Sequence, residues 1–225
     1  MLLAEELALV ALNPESGRHA IGVRSQLNAC LAGLLVAELL LDGRAEPYET
    51  SGVVVATGGA TSSSSTLEAA AGVVAEKGPK IKAILSDMDR NLTRRLGAGT
   101  WDAVMSGLVR DGVVSVRGGS RRPRYDLVDL AARDRVVQRL CTAAVTDGAL
   151  DGRTALVLSM TGPAQLLEAV APARPDRRHA SHRIDHALDS TDFEPVGDVV
   201  RRLIAEAAAA AAAGATAAVF VATGS

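Results

Sequence analysis

The stretch from Arg24 to Leu41, RSQLNACLAGLLVAELLL, most constrains how this chain can fold. Wound as a helix it is apolar on nearly every side, with Ala29, Ala32, Gly33 and Ala37 as small spacers. A helix without a polar face must be enclosed by other elements, so the run predicts a central helix. It is no membrane span: its apolar part, Leu27 to Leu41, is too short and contains Asn28 and Glu38. Asp42-Gly43 ends it. The Ala-rich run from Ala207 to Ala222 is only weakly hydrophobic and is interrupted by Gly214 and Thr216.

The rest of the composition agrees with a helical fold. In 225 residues there are one Trp, two Tyr and two Phe, against a large excess of Ala and Leu. Small aliphatics favour helix, whereas a β-sandwich draws on aromatic and β-branched residues. With 24 basic and 26 acidic side chains the net charge is −2, which excludes a globally cationic nucleic-acid protein. Cys30 and Cys141 form neither a disulfide framework nor a zinc-ligand spacing, so a reducing, cytoplasmic setting is expected. The N-terminal MLLAEELALV carries two glutamates where a signal peptide would carry positive charge.

Periodicity then divides the chain. Leu2 to Leu12 reads as a short amphipathic helix, and SGVVVA within residues 46–56 as a short β-like stretch. The loop GGATSSSS supplies caps for a helix over Thr66 to Glu76, stopped by Gly78-Pro79. Lys80 to Leu96 suggests one or two helical turns, and Trp101, Val104, Met105 and Leu108 mark a further buried helix face. LVRDGVVSVRGGSRRPRYDLV alternates apolar and polar residues around a Gly- and Arg-rich turn, predicting a β-hairpin of Val113–Val116 with Arg124–Val128. Helices are expected over Asp129–Ala144, Arg153–Met160, Pro163–Val170, Arg177–Ala187 and Pro195–Ala213. The fold class is mainly α: one domain spanning 1–225, a helical bundle wrapped by amphipathic helices, with one inserted hairpin at about 113–128.

No catalytic constellation emerges, and no cofactor or metal is expected. GxSxG and S-x-x-K are absent, and both cysteines lie on apolar helix faces where thiols are inert. Glu38, inside the central helix, is expected to pair with a basic residue such as Arg44. His179, His182 and His186 share a helix face, but Arg174, Arg177, Arg178 and Arg183 around them would repel a cation, so a polar surface helix is expected. Gly58-Gly59 and the serines after them resemble a phosphate loop without GxGxxG or GxxxxGK[ST], and read as a capping loop. At the hairpin, Arg117, Arg121, Arg122 and Arg124 suit phosphate on a nucleic acid or a lipid headgroup. Helix, Asp-Gly, strand, basic wing and Tyr-containing strand is also how winged-helix DNA-binding regulators end, which is the alternative reading.

Three stretches in order, LLAEELALVALNPESGR, LAGLLVAELLLDGRAE and LVRDGVVSVRGGSRRPRYDL, together with TALVLSMTGPAQLLEAVAP, resemble the Golgi phosphoprotein 3 family over essentially the whole chain. The resemblance implies an all-α domain with a projecting hairpin associated with self-association. It implies a non-enzymatic, peripheral membrane adaptor that binds phosphatidylinositol 4-phosphate and retains glycosyltransferases by their cytosolic tails. Carried over one by one, the family's pocket Trp falls on Val23 and its pocket arginines on Ala32, Ala98 and Trp101. None of these four matches. Arg24 adjoins the Trp position, and Arg94 and Arg95 precede Ala98 by about one helical turn. With Trp101 they form the candidate headgroup set, meeting anionic lipid on the inner membrane face while the hairpin arginines assist. The Arg-over-Lys, Ala-rich composition suggests a high-GC bacterium, and the protein partner is left open.

Overall fold

A computed structural model describes residues 1–19, 24–49, 52–55, 62–119, 123–188 and 197–222. The central helix, α2 (Arg24–Leu41), is enclosed as its sequence requires: every residue from Leu31 to Leu40 is buried. Preceding it, α1 (Leu3–Ala11) leads into a two-residue pairing of β1 (Leu12–Asn13) with β2 (Arg18–His19). The expectation of an amphipathic α1 needs correcting, because all nine of its residues are buried, Glu5 and Glu6 included. It lies among α2, α5, α6 and α7, and its two carboxylates find internal partners there. The Glu5 carboxylate accepts from the Leu2 N–H at 2.7 Å, as a residue in the first helical turn can. Glu6 pairs with Arg139.

After α2 the chain makes a hairpin, β3 (Ala45–Tyr48) with β4 (Gly52–Val55), where a single extended stretch was expected. Its helices α3 (Ser65–Lys77) and α4 (Ile81–Leu96) then pack side by side. Ser64 caps α3 by accepting from the Leu67 N–H, bearing out the reading of the serine loop at that residue. Instead of one or two turns, α4 is sixteen residues long, held by the apolar row Ile81, Ile84, Leu85, Met88 and Leu92. Left-handed Gly97 (φ +71°) closes it and α5 (Thr100–Arg110) follows.

The mid-chain hairpin forms as the alternation predicts, β5 (Val114–Arg117) against β6 (Arg124–Leu127) in the register Val114 with Leu127 and Val116 with Tyr125. It is tied to the body by the Tyr125 N–H donating to the Gly17 carbonyl at 2.8 Å. The remaining elements are α6 (Leu130–Val145), α7 (Gly152–Thr161), α8 (Leu167–Val170), a 3₁₀ turn at Arg174–Asp176, α9 (Arg177–Asp185) and α10 (Gly197–Ala222). The helix expected over Pro163–Val170 shrinks to four residues, since Gln165 takes a left-handed φ of +58° that no helix continues through. At the far side α10 lies along α2. A β-carbon on Gly33 would stand 2.8 Å from that of Ala207, so this crossing depends on glycine.

Among the described residues, then, ten α-helices and three small hairpins surround one buried core. None of these helices is long and apolar enough to cross a membrane.

Candidate functional site

The exposed edge where α3 and α4 meet carries a strip of ion pairs. Lys77 on α3 reaches Asp87 on α4 at 2.7 Å, and Arg90 reaches the same carboxylate at 2.8 Å. One turn on, Arg94 and Arg95 converge on a single carboxylate, Glu76, at 2.7 and 3.0 Å. Arg94 also donates to the Asn91 Oδ1 at 2.6 Å, and Arg95 to the Gly72 carbonyl at 3.2 Å. The two guanidiniums hold the Glu76 carboxyl below its ordinary value, Arg94 first, and Lys77 does the same for Asp87. Four cations thus face two carboxylates that stay ionised. The helix ends beside them with half-exposed Leu96.

The other sequence-predicted residues lie elsewhere. Trp101 is only 3% exposed. Its ring meets those of His19 and Tyr125 edge-on, with centroids 5.6 and 6.4 Å away, and the Tyr125 hydroxyl donates to Asp102 at 3.1 Å. Trp101 therefore anchors the hairpin to α5 and turns no face to a headgroup. At the hairpin, Arg117 and Arg124 stand directly opposite each other, an arrangement that like charges disfavour. Asp126 relieves it by pairing with Arg117 at 3.2 Å. Arg121, Arg122 and the side chain of Arg24 lie outside the described residues, as do Val23 and the Gly58-Gly59 loop.

Glu38 pairs not with Arg44 but with Arg153, whose Nη1 donates to Oε1 at 2.8 Å. The Leu3 N–H donates to its other oxygen at 2.7 Å, and Arg44 turns instead to Glu68 at 2.7 Å. Glu38 thus joins α1, α2 and α7, which sequence distance had concealed. Burial pushes the Cys30 thiol up to about 12 and raises that of Cys141, which keeps both protonated and unreactive near neutral pH. The rings of His182 and His186 lie with centroids 4.6 Å apart and planes tilted by 42°, while His179 lies 3.6 Å from Asp147. Among the described residues no three His, Cys, Asp or Glu side chains gather as a metal site would need.

Too little of α5 stands clear of the core to enter a DNA groove: Ser106 and Arg110 are its exposed residues. Arg110 is already bound to Asp111 at 2.9 Å and to the Ser63 carbonyl at 3.2 Å.

A feature the sequence did not reveal is a cleft of about 840 Å³ between α2, α4 and α10. Asp89 organises it: its Oδ1 accepts from the Asn28 Nδ2 at 2.9 Å and from the Thr100 N–H at 2.7 Å. Lys82 and Glu206 add one charge of each sign, so its lining carries two carboxylates and one ammonium. The one available signal was Asn28, a polar residue set in an otherwise apolar helix. Ala98, at one of the family's arginine positions, directly precedes Gly99 and Thr100 on this lining.

The family model for Golgi phosphoprotein 3 (GPP34) matches residues 3–207. No individually curated protein matches the chain.

Proposed function

From the premise that the chain belongs to the Golgi phosphoprotein 3 family, matched across residues 3–207, we propose that it is a non-enzymatic peripheral membrane or adaptor protein. In this reading the α3–α4 edge meets the anionic surface. The observation that carries it is the pair Arg94 and Arg95, held together by Glu76 at the exposed end of α4, with Leu96 beside them.

The physics favours this edge for two reasons. A guanidinium has five donors, so Arg94 and Arg95 keep N–H groups free for phosphate oxygens after binding Glu76. The strip of Arg90, Arg94, Arg95 and Lys77 against Glu76 and Asp87 also leaves a local positive excess on a chain of net charge −2. Each basic residue near an anionic leaflet contributes about 1 kcal/mol, enough for weak, salt-sensitive attachment. Arg117 and Arg124 on the hairpin add to the attraction where the surface reaches them. The position on an inner membrane face follows from the same charge.

Vesicle sedimentation tests the reading. The chain should pellet with phosphatidylglycerol-containing vesicles at low salt, less at physiological salt, and not with pure phosphatidylcholine vesicles. No pelleting with any anionic vesicle at low salt would leave a protein-interaction module without a membrane.

A further inference from the structure

Four Asp-Gly steps occur in the chain: Asp42-Gly43, Asp111-Gly112, Asp147-Gly148 and Asp151-Gly152. Such a step can close on itself, the glycine nitrogen attacking the aspartyl carboxyl carbon, because glycine has no β-carbon to obstruct the ring. The fold blocks three of them. The Gly43 N–H donates to the Leu40 carbonyl at 3.2 Å, and the Gly112 N–H to that of Val109 at 3.1 Å. Asp111 is also paired with Arg110 at 2.9 Å. Asp151 caps α7 by accepting from the Thr154 N–H at 3.0 Å, and Gly152 is fixed as the first residue of that helix. Asp147-Gly148, in the connection between α6 and α7, is held by none of these devices. The Asp147 side chain is 88% exposed, and His179 lies 3.6 Å from it, beyond hydrogen-bonding distance. The Gly148 N–H donates to no described residue, and its φ of +139° is one that glycine adopts without strain.

We infer that Asp147-Gly148 is a site of spontaneous aspartyl isomerisation, whose product is a substrate for an S-adenosylmethionine-dependent carboxyl methyltransferase. The Gly148 nitrogen bonds to the Asp147 Cγ, and the carboxyl hydroxyl leaves with the amide proton as water. Water then opens the cyclic imide at either carbonyl. Cleavage at Cγ restores aspartate, whereas cleavage at the main-chain carbonyl carbon leaves the chain running through the side chain. No electrons are transferred, and the net mass is unchanged. The isoaspartyl form carries a free α-carboxylate, to which the methyltransferase passes the sulfonium methyl group. The ester then loses methanol to the Gly148 nitrogen and returns to the imide. The local consequence falls on Arg183 of α9, whose Nη2 donates to the Gly148 carbonyl at 3.0 Å and whose Nε donates to that of Ala143 at 3.4 Å. Isomerisation inserts one methylene into the main chain before Gly148 and displaces its carbonyl, so α9 loses a tie to the α6–α7 connection. Neither residue belongs to the α3–α4 edge, so this site does not depend on the membrane reading.

The test ages the full chain for weeks at physiological temperature, folded in neutral buffer and unfolded in urea in parallel. Tryptic peptides are then read by electron-transfer fragmentation, which tells the two linkages apart. The peptide Leu140–Arg153 carries both Asp147 and Asp151, so it holds the site and a control together. In the folded chain isoaspartate should accumulate at Asp147 several-fold above each of the other three positions. In urea, where every glycine N–H is released, the four should react at similar rates. A purified isoaspartyl methyltransferase with methyl-labelled S-adenosylmethionine should label the aged folded chain in step with its isoaspartate at Asp147. Asp147→Glu lengthens the side chain so that the ring closes far less readily, and at so exposed a position it leaves the fold intact. It should remove most of the methyl uptake. The inference is overturned by a folded pattern that matches the unfolded one, or by isoaspartate highest at Asp42, Asp111 or Asp151. Absence of methyl uptake in the aged folded chain, or uptake unchanged in Asp147→Glu, would overturn it equally.

Discussion

Several single residues here have consequences out of proportion to their number. Glu38 is buried, and its carboxylate is bound by Arg153 and the Leu3 N–H. Arg153→Ala would leave that carboxylate facing the core with one donor, which should cost about 2 kcal/mol in urea unfolding. The figure sits below that of a fully buried pair because Arg153 is 40% exposed. Glu5 is the opposite case. Burial raises its carboxyl above the ordinary value, against the Leu2 N–H that lowers it. Between the ordinary value and the raised one, the folded state holds a proton that the unfolded state has released. Its contribution therefore favours the fold at low pH and is lost as pH rises through that window. Glu5→Gln should flatten the fall of stability as pH rises above the ordinary glutamate value of about 4.5. A profile unchanged by this substitution would show that Glu5 is not the group responsible. The sequence announced neither residue's partner: Glu38 was readable as an anomaly inside an apolar helix, but Arg153 lies 115 positions away.

At the level of elements, periodicity worked where one helix face meets the core and failed where backbone geometry decides. Thus α2, α3, α5, α6, α7 and the mid-chain hairpin lie close to where pattern and caps put them. By contrast α8 is truncated by the left-handed Gln165, and Glu49 with φ +50° turns one expected extended stretch into the β3–β4 pair. Neither residue type advertises positive φ. The packing of α10 on α2 rests on a contact only a fold can reveal, Gly33 against Ala207. Gly33→Leu should force α10 outward, at about 2 kcal/mol for the overpacking. Hydrogen exchange should show the amides of α10 opening faster while α6 and α7 are little changed. If protection in α10 stays as in the parent chain, the two helices are not held by this crossing.

For the molecule as a whole, fold was far more legible than site. The central helix and the family resemblance were readable because they depend on local pattern and order along the chain. The charge layout was not, because Glu76 draws Arg94 and Arg95 together from another helix and Asp89 gathers Asn28 and Thr100 across 61 and 11 positions. The result is a small helical domain with two faces of unlike chemistry. A basic edge runs along α3–α4, and a carboxylate-lined cleft opens between α2, α4 and α10. In the proposed function the basic edge attaches the protein to anionic membranes. Co-sedimentation of the double variant Arg94→Glu/Arg95→Glu beside the parent chain, on phosphatidylglycerol-containing vesicles at low salt, tests it most directly. The parent should pellet and the variant's affinity should fall at least about tenfold, two basic contacts being lost and two repulsions gained. Equal pelleting of variant and parent would contradict it.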